Sequence, residues 1–181
     1  LSAAALHAHP HMFIDSRVSL HFDSTGMTGF TVEWLFDPFF TSQILLDYDS
    51  NRNGRFERKE VEAIEGGAFS NLVNYHYFTS AGINGNKKDI ITVDNFDAFI
   101  REERLGYRFY VPFSAAASPA GSEPEEIRIS IFDDTFFCDI AAVEDQPVRV
   151  EAPSSLSVEW EILRNSDAPI RYDPASGQAR R

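Results

Sequence analysis

At 181 residues the chain has the length of one domain, or of one domain carrying an insertion. A hydrophobic fraction of 43% and an aromatic fraction of 13%, with 16 phenylalanines, exclude a disordered chain. The 28 acidic residues against 16 basic ones give a net charge of −12, which disfavours duplex nucleic acid and anionic membrane and favours cations as guests. A lone cysteine, Cys138, excludes an internal disulfide, a thiolate zinc cluster and a CxxC redox pair; among aromatic neighbours it reads as a buried small hydrophobe. No apolar run is long enough to span a bilayer.

The first eight residues, Leu1-Ser2-Ala3-Ala4-Ala5-Leu6-His7-Ala8, read as the end of a signal peptide, with Ala3 and Ala5 placed for cleavage after Ala5. A cut after Ala8 would instead make His9 the N-terminus. Either cut implies export to the periplasm; the alternative is a flexible Ala-rich start. From Met12 the period is two. Met12, Ile14, Val18, Leu20 and Phe22 share one face, interrupted by Ser16, and His11, Phe13, Asp15, Arg17, Ser19 and His21 share the other. A turn at Asp23-Ser24-Thr25-Gly26 leads into a second strand with Phe30, Val32, Trp34 and Phe36 inward.

The period then becomes helical. Asp37-Pro38 is an N-cap followed by a proline at the first helical position, and a second helix is predicted over about 58–75. Strands resume after Thr79, with a hairpin at Asn84-Gly85-Asn86 and a run burying Tyr107, Phe109, Val111 and Phe113. Residues 115–124 read as a loop, Ile127, Ile129 and Ile131 as the next strand, and Val158, Trp160 and Ile162 as the last. The sum is a mainly β, antiparallel, sandwich-like domain over 9–165, with a helix–loop–helix inserted at about 37–79. That makes it α+β overall, with a signal remnant at 1–8 and a flexible tail at 166–181.

Between the two helices lies Asp49-Ser50-Asn51-Arg52-Asn53-Gly54-Arg55-Phe56-Glu57-Arg58-Lys59-Glu60, which resembles the EF-hand calcium loop at all twelve positions. Calcium is a hard cation wanting six to eight oxygens. Asp49, Asn51 and Asn53 would supply side-chain oxygens, Arg55 its carbonyl, Glu57 a direct or water-mediated contact, and Glu60 a bidentate carboxylate. Gly54 permits the sharp turn, and Phe56 is the apolar residue that packs beneath the loop. Only Asp49, Glu57 and Glu60 are anionic, and Arg52, Arg55, Arg58 and Lys59 crowd the loop. Modest affinity and a structural clamp are expected rather than a switch. The alternative is an acidic turn that binds nothing.

The second constellation is His9-Pro10-His11-Met12-Phe13-Ile14-Asp15. In extended backbone His9, His11, Phe13 and Asp15 project to one side, so two imidazoles and a carboxylate could form part of a Zn²⁺, Ni²⁺ or Co²⁺ site. Pro10 removes an amide and argues against an amide-chelated copper site. The best candidates for the missing ligands are Asp133 and Asp134; alternation carries Asp133 onto the buried face, where an unpaired carboxylate is costly. His76 is the remaining option. Without metal, the histidines are a polar strand end, and Asp133-Asp134 is a turn. No nucleophile–base arrangement, phosphate-cradling Gly loop or complete hydrolytic zinc motif is present, so an enzyme is not expected.

Taken together, the chain resembles a bacterial family of unknown function, described as periplasmic components of an uncharacterised ABC-type transport system. Its members are often encoded beside nickel/cobalt transporters of the NicO (RcnA-like) type. The resemblance covers about 9–163. It rests on the His9–Asp15 opening, Val32-Glu33-Trp34-Leu35-Phe36-Asp37, the calcium-type loop, Tyr77-Phe78-Thr79 and Ile131-Phe132-Asp133-Asp134-Thr135-Phe136-Phe137. It implies an exported protein that binds a transition metal and serves a membrane metal transporter, with His9, His11, Asp15 and Asp133 or Asp134 as ligands by position. The rival expectation is a calcium-stabilised protein-interaction module with no transition-metal role.

Overall fold

The computed structural model describes residues 11–119, 121–135 and 137–163, and the backbone of 171–173 and 178–180. The signal remnant and His9 lie outside the described residues. The alternating opening forms β1 (Met12–Asp23) and β2 (Gly26–Phe36), paired antiparallel from Ile14 opposite Phe36 to Asp23 opposite Gly26. Asp23 closes the turn by accepting from the Thr25 amide at 2.7 Å. Gly26 is obligatory: its φ is 138°, and a Cβ there would collide with the Ala115 carbonyl.

β2 is the middle of the main sheet. It pairs on its other side with β6 (Arg104–Ala116), which pairs with β5 (Asp94–Arg101). Beyond β1 lie β8 (Cys138–Ala142) and β9 (Val148–Glu151), end to end along the same edge and parallel to β1. The order is therefore β5-β6-β2-β1-β8, with β9 also on β1. A second, antiparallel sheet runs β4 (Asn86–Asp89), β3 (Thr79–Ile83), β7 (Ile127–Ile131). β10 (Arg171–Asp173) and β11 (Gln178–Arg180) pair with each other. The fold is mainly β, and the main sheet is mixed rather than purely antiparallel.

The core follows the period of two. Phe30, Val32, Trp34 and Phe36 of β2, and Leu105, Tyr107, Phe109, Val111 and Phe113 of β6, are all buried. Trp34 lies edge-on to Phe109 at 4.9 Å and to Phe36 at 6.2 Å, a geometry that adds about 0.5–1.5 kcal/mol per pair beyond area burial. The outer face is polar as the pattern requires: Glu33 accepts two bonds from Arg101, at 2.6 and 3.2 Å.

Between β2 and β3 the chain is helical. Asp37 caps α1 (Pro38–Tyr48), its Oδ1 accepting from the amides of Phe39 and Phe40 at 2.8 and 3.0 Å. After the loop comes α2 (Arg58–Ile64), which is shorter than the helix predicted over 58–75. The regular α-turns give way to a π segment (Glu65–Phe69) and a 3₁₀ segment (Ser70–Phe78). The Gly66-Gly67 pair weakens the helix there, and Gly67 sits where a Cβ would meet Tyr48 Oη at 2.5 Å. His76, Tyr77 and Phe78 then adopt left-handed φ of 51°, 51° and 48°. This reversal places Tyr77 against Phe69 and Phe109, and Phe78 beside Trp34, so aromatic burial offsets the backbone strain.

Three further departures have physical causes. β5 escapes a period-two reading because the ladder shifts register between Asp94 and Asp97. β8 and β9 are short and half polar, and their place is set by β1's edge rather than by their own pattern. The strand predicted at Val158, Trp160 and Ile162 is absent; Trp160 is 48% and Ile162 41% exposed. Among the described residues, no helix is long and apolar enough to cross a membrane.

One row across the sheet is chemically odd. Ser16 lies opposite Trp34, and Trp34 opposite Tyr107; the side-chain polar atoms of all three are buried without a hydrogen-bond partner among the described residues. A buried hydroxyl left unmatched costs about 1–3 kcal/mol. Ser16→Ala is therefore expected to stabilise the fold by about 1 kcal/mol in urea unfolding. A loss of stability instead would show that the hydroxyl is satisfied.

Candidate metal centres

The loop over residues 49–60 is organised by its own backbone. Asp49 ends α1, with its amide bonded to Leu45 O. Its Oδ1 accepts from the Asn53 amide at 3.1 Å and its Oδ2 from the Gly54 amide at 2.8 Å. Asn51 Oδ1 accepts from the Asn53 amide at 3.0 Å, and Asn53 Oδ1 from the Arg55 amide at 2.8 Å. Glu60 closes the ring: its Oε1 accepts from the Ser50 amide and hydroxyl at 2.9 and 2.7 Å, and its Oε2 from the Glu57 amide at 2.9 Å. Glu57 Oε1 meets the side-chain amides of Asn51 and Asn53 at 3.1 and 3.4 Å. Gly54 has φ of 73°, as the turn demands.

Asp49 and Glu60 are buried, at 8% and 7% exposure, although they are charged. Arg52, Arg55, Arg58 and Lys59, which crowd the loop in sequence, are all exposed. Half-buried Phe56 packs against the core. The Glu57 amide, then the Ser50 hydroxyl, hold the Glu60 carboxyl below the usual glutamate range.

The opening of β1 is a second corner. His11 is exposed, its ring 5.4 Å from that of Phe137, and its amide bonds Phe137 O at 2.9 Å. Asp15 is tied to β6: Arg104 Nη1 donates to it at 2.6 Å, while Arg104 Nε donates to Phe36 O and Nη2 to Leu35 O. Asp133 is buried at 5% exposure, as alternation predicted, and both oxygens are engaged. Oδ1 accepts from the amide and hydroxyl of Thr135 at 2.8 and 2.7 Å, and Oδ2 from the Cys138 amide at 2.8 Å. Asp134 is exposed, with no hydrogen bond among the described residues. His76 is exposed on the left-handed turn, which joins this corner through Phe132 N–H to Phe78 O at 2.9 Å.

The fold thus gathers His11, Asp133, Asp134 and the His76 turn at one end and ties Asp15 elsewhere. Among the described residues, no group of three or more His, Cys, Asp or Glu side chains is placed to hold a metal ion. Two residues of this end were not read as part of a site. Asp37, known from sequence only as a helix cap, also accepts from the Phe13 amide at 2.9 Å and so fastens α1 to β1. Burial pushes its carboxyl up, but the amides of Phe13, Phe40 and Phe39 outweigh that and hold it low. Cys138 lies with its Sγ 3.8 Å from Met12 Sδ, and burial, with Asp133 beside it, pushes the thiol up to about 12. It is an inert thiol, as its aromatic context suggested.

The lowered Glu60 pKa has a sign. A carboxyl whose folded pKa is depressed contributes stability above its unfolded pKa, and that contribution is lost as pH falls through the folded value. In acid denaturation the stability gap between the parent and Glu60→Gln should shrink from the ordinary glutamate range downward. A gap unchanged across that range would place Glu60 outside the acid response.

Two relatives are informative about kinship. A Spirochaeta aurantia protein, described as an uncharacterized 15.5 kDa protein in the trpE 3′ region, is 32% identical over 111 residues, covering 60% of this chain and 74% of that protein. An uncharacterized Haemophilus influenzae protein is 26% identical over 132 residues, covering 72% of this chain but only 61% of its own length. No solved structure matches the chain. The family model described as "Protein of unknown function (DUF1007)" matches residues 1–162, and the chain belongs to that family.

Proposed function

We propose that the protein is an exported, periplasmic metal-binding protein that assists a membrane metal transporter and carries a structural calcium site. The observation that carries the metal reading is the 49–60 loop, where backbone amides turn the oxygens of Asp49, Asn51 and Asn53 and fix Glu60 across from them. Asp49 and Glu60 are both charged side chains largely removed from water, a state that a bound cation would favour. A calcium ion would be held by Asp49, Asn51, Asn53, the Arg55 carbonyl, Glu57 and Glu60, as in an EF-hand loop, and would clasp the end of α1 to the start of α2. Three anionic ligands imply modest affinity.

For the transition metal, Zn²⁺, Ni²⁺ or Co²⁺, the support is the His9–His11 pair and the resemblance to a family neighbouring metal transporters. The geometry ranks the acidic partners. Asp15 is bound by Arg104 and Asp133 is saturated, whereas Asp134 is accessible. A second reading, a calcium-stabilised interaction module, is favoured by exposed Phe13, Phe39 and Phe137 at this same end (53%, 71% and 51%).

Calorimetry on chelator-stripped protein, with calcium saturating, tests the first reading. One submicromolar site for Zn²⁺, Ni²⁺ or Co²⁺, lost in His9→Ala/His11→Ala, is expected. Equal binding by that variant overturns the site, and no binding leaves the interaction module. For calcium, the thermal-melt increment between calcium and chelator should vanish in Glu60→Gln. The increment is the quantity to compare, because Glu60 also accepts amide bonds from the loop itself. An increment equal to the parent's would remove calcium from the proposal.

A further inference from the structure

The stretch 157–163, Ser-Val-Glu-Trp-Glu-Ile-Leu, has the pattern of a strand and, among the described residues, none of its pairing. Val158, Trp160 and Ile162 alternate with Ser157, Glu159 and Glu161, yet Trp160, Ile162 and Leu163 are 48%, 41% and 68% exposed. An amphipathic strand with its apolar face in water calls for a sheet edge to complete.

The second sheet offers one. Among the described residues β7 pairs only with β3, so its other edge is open. The bonds at its ends give the phase: Phe132 N–H donates to Phe78 O and Asn84 N–H donates to Glu126 O, both at 2.9 Å. Even-numbered residues of β7 therefore direct their backbone groups to β3. The N–H and C=O of Ile127, Ile129 and Ile131 face the open edge. Their side chains pack against the core, while Arg128 is exposed and held only by its near neighbour Glu126 at 2.9 Å.

We infer that residues 157–163 of one copy add as an antiparallel strand to the open edge of β7 in a second copy, forming a two-fold dimer by reciprocal strand addition. Setting Ile129 opposite Trp160 puts Ile127 opposite Ile162 and Ile131 opposite Val158 on the core side. It also puts Arg128 opposite Glu161, with Glu159 diagonal, on the solvent side. Apolar residues meet apolar ones and opposite charges meet in this register, so pattern and charge agree. The second copy is the occupant because both stretches are described in one chain and are unpaired there. When each of two copies gives its strand to the other, the exchange closes with two-fold symmetry and leaves no open end.

The test is light scattering of the full chain across a dilution series, with variants at exposed positions that spare the fold. The parent should be a dimer that dissociates on dilution, and Trp160→Glu a monomer with an unchanged thermal melt when dilute. Arg128→Glu should weaken the dimer by about tenfold, since two symmetric pairs each exchange attraction for repulsion. Adding Glu161→Arg to Arg128→Glu should restore it. A parent that is monomeric at every concentration, a dimer untouched by Trp160→Glu, or a charge swap without rescue overturns the inference. So does a monomer whose amides at 158–162 are protected from exchange, because the strand would then fold within its own chain.

Discussion

The structure hangs on the aromatic seam between β2 and β6. Every second residue of β2 from Phe30 to Phe36, and of β6 from Leu105 to Phe113, is removed from water, and the two rows meet at Trp34 opposite Tyr107. Burial of one such side chain stabilises by about 1.5–3 kcal/mol, and the edge-on contacts fix the orientation of neighbours as well. The helical excursion between β2 and β3 returns Phe69, Tyr77 and Phe78 onto the same seam. Without it, neither the left-handed turn at His76–Phe78 nor the π segment before it would have a compensating term.

The two candidate metal regions lie at the two ends of α1. The calcium-type loop is local: its donors and acceptors lie within twelve consecutive residues, and most of its bonds span two to five positions. The histidine corner is non-local. It is assembled where the start of β1, the cap of α1 and the turn between β7 and β8 meet, and Asp37 and Asp133 are used to hold those pieces together. There Asp37 accepts from the Phe13 amide and Asp133 from those of Thr135 and Cys138, so both carboxylates stiffen the corner. The division of labour between structural and available carboxylates is visible only when their partners are known.

Much was legible at the level of period and cap. Alternation placed Ile14, Trp34 and Phe109 inward, Asp37-Pro38 started a helix, and Asn84-Gly85 turned a hairpin, because each depends on a few adjacent residues. Reading failed where a distant partner decides. The β5 bulge and the parallel docking of β8 and β9 on β1 answer to neighbours far along the chain, while α2 ends early at the Gly66-Gly67 pair. The Val158–Trp160–Ile162 pattern failed in the opposite sense, since a strand needs a partner and, among the described residues, none is paired with it.

By itself the sequence determined a β-rich core, the helical interruption, the twelve-residue loop between the helices and the clustering of histidines near the start, since composition and short-range spacing specify them. Tertiary structure alone decided that Asp15 belongs to Arg104 and that Asp134 remains accessible, whereas Asp133 is spent on the nearby Thr135 and Cys138. The reason is electrostatic: a carboxylate is neutralised by whichever donors folding brings within 3 Å, and for Asp15 that donor stands 89 positions along the chain.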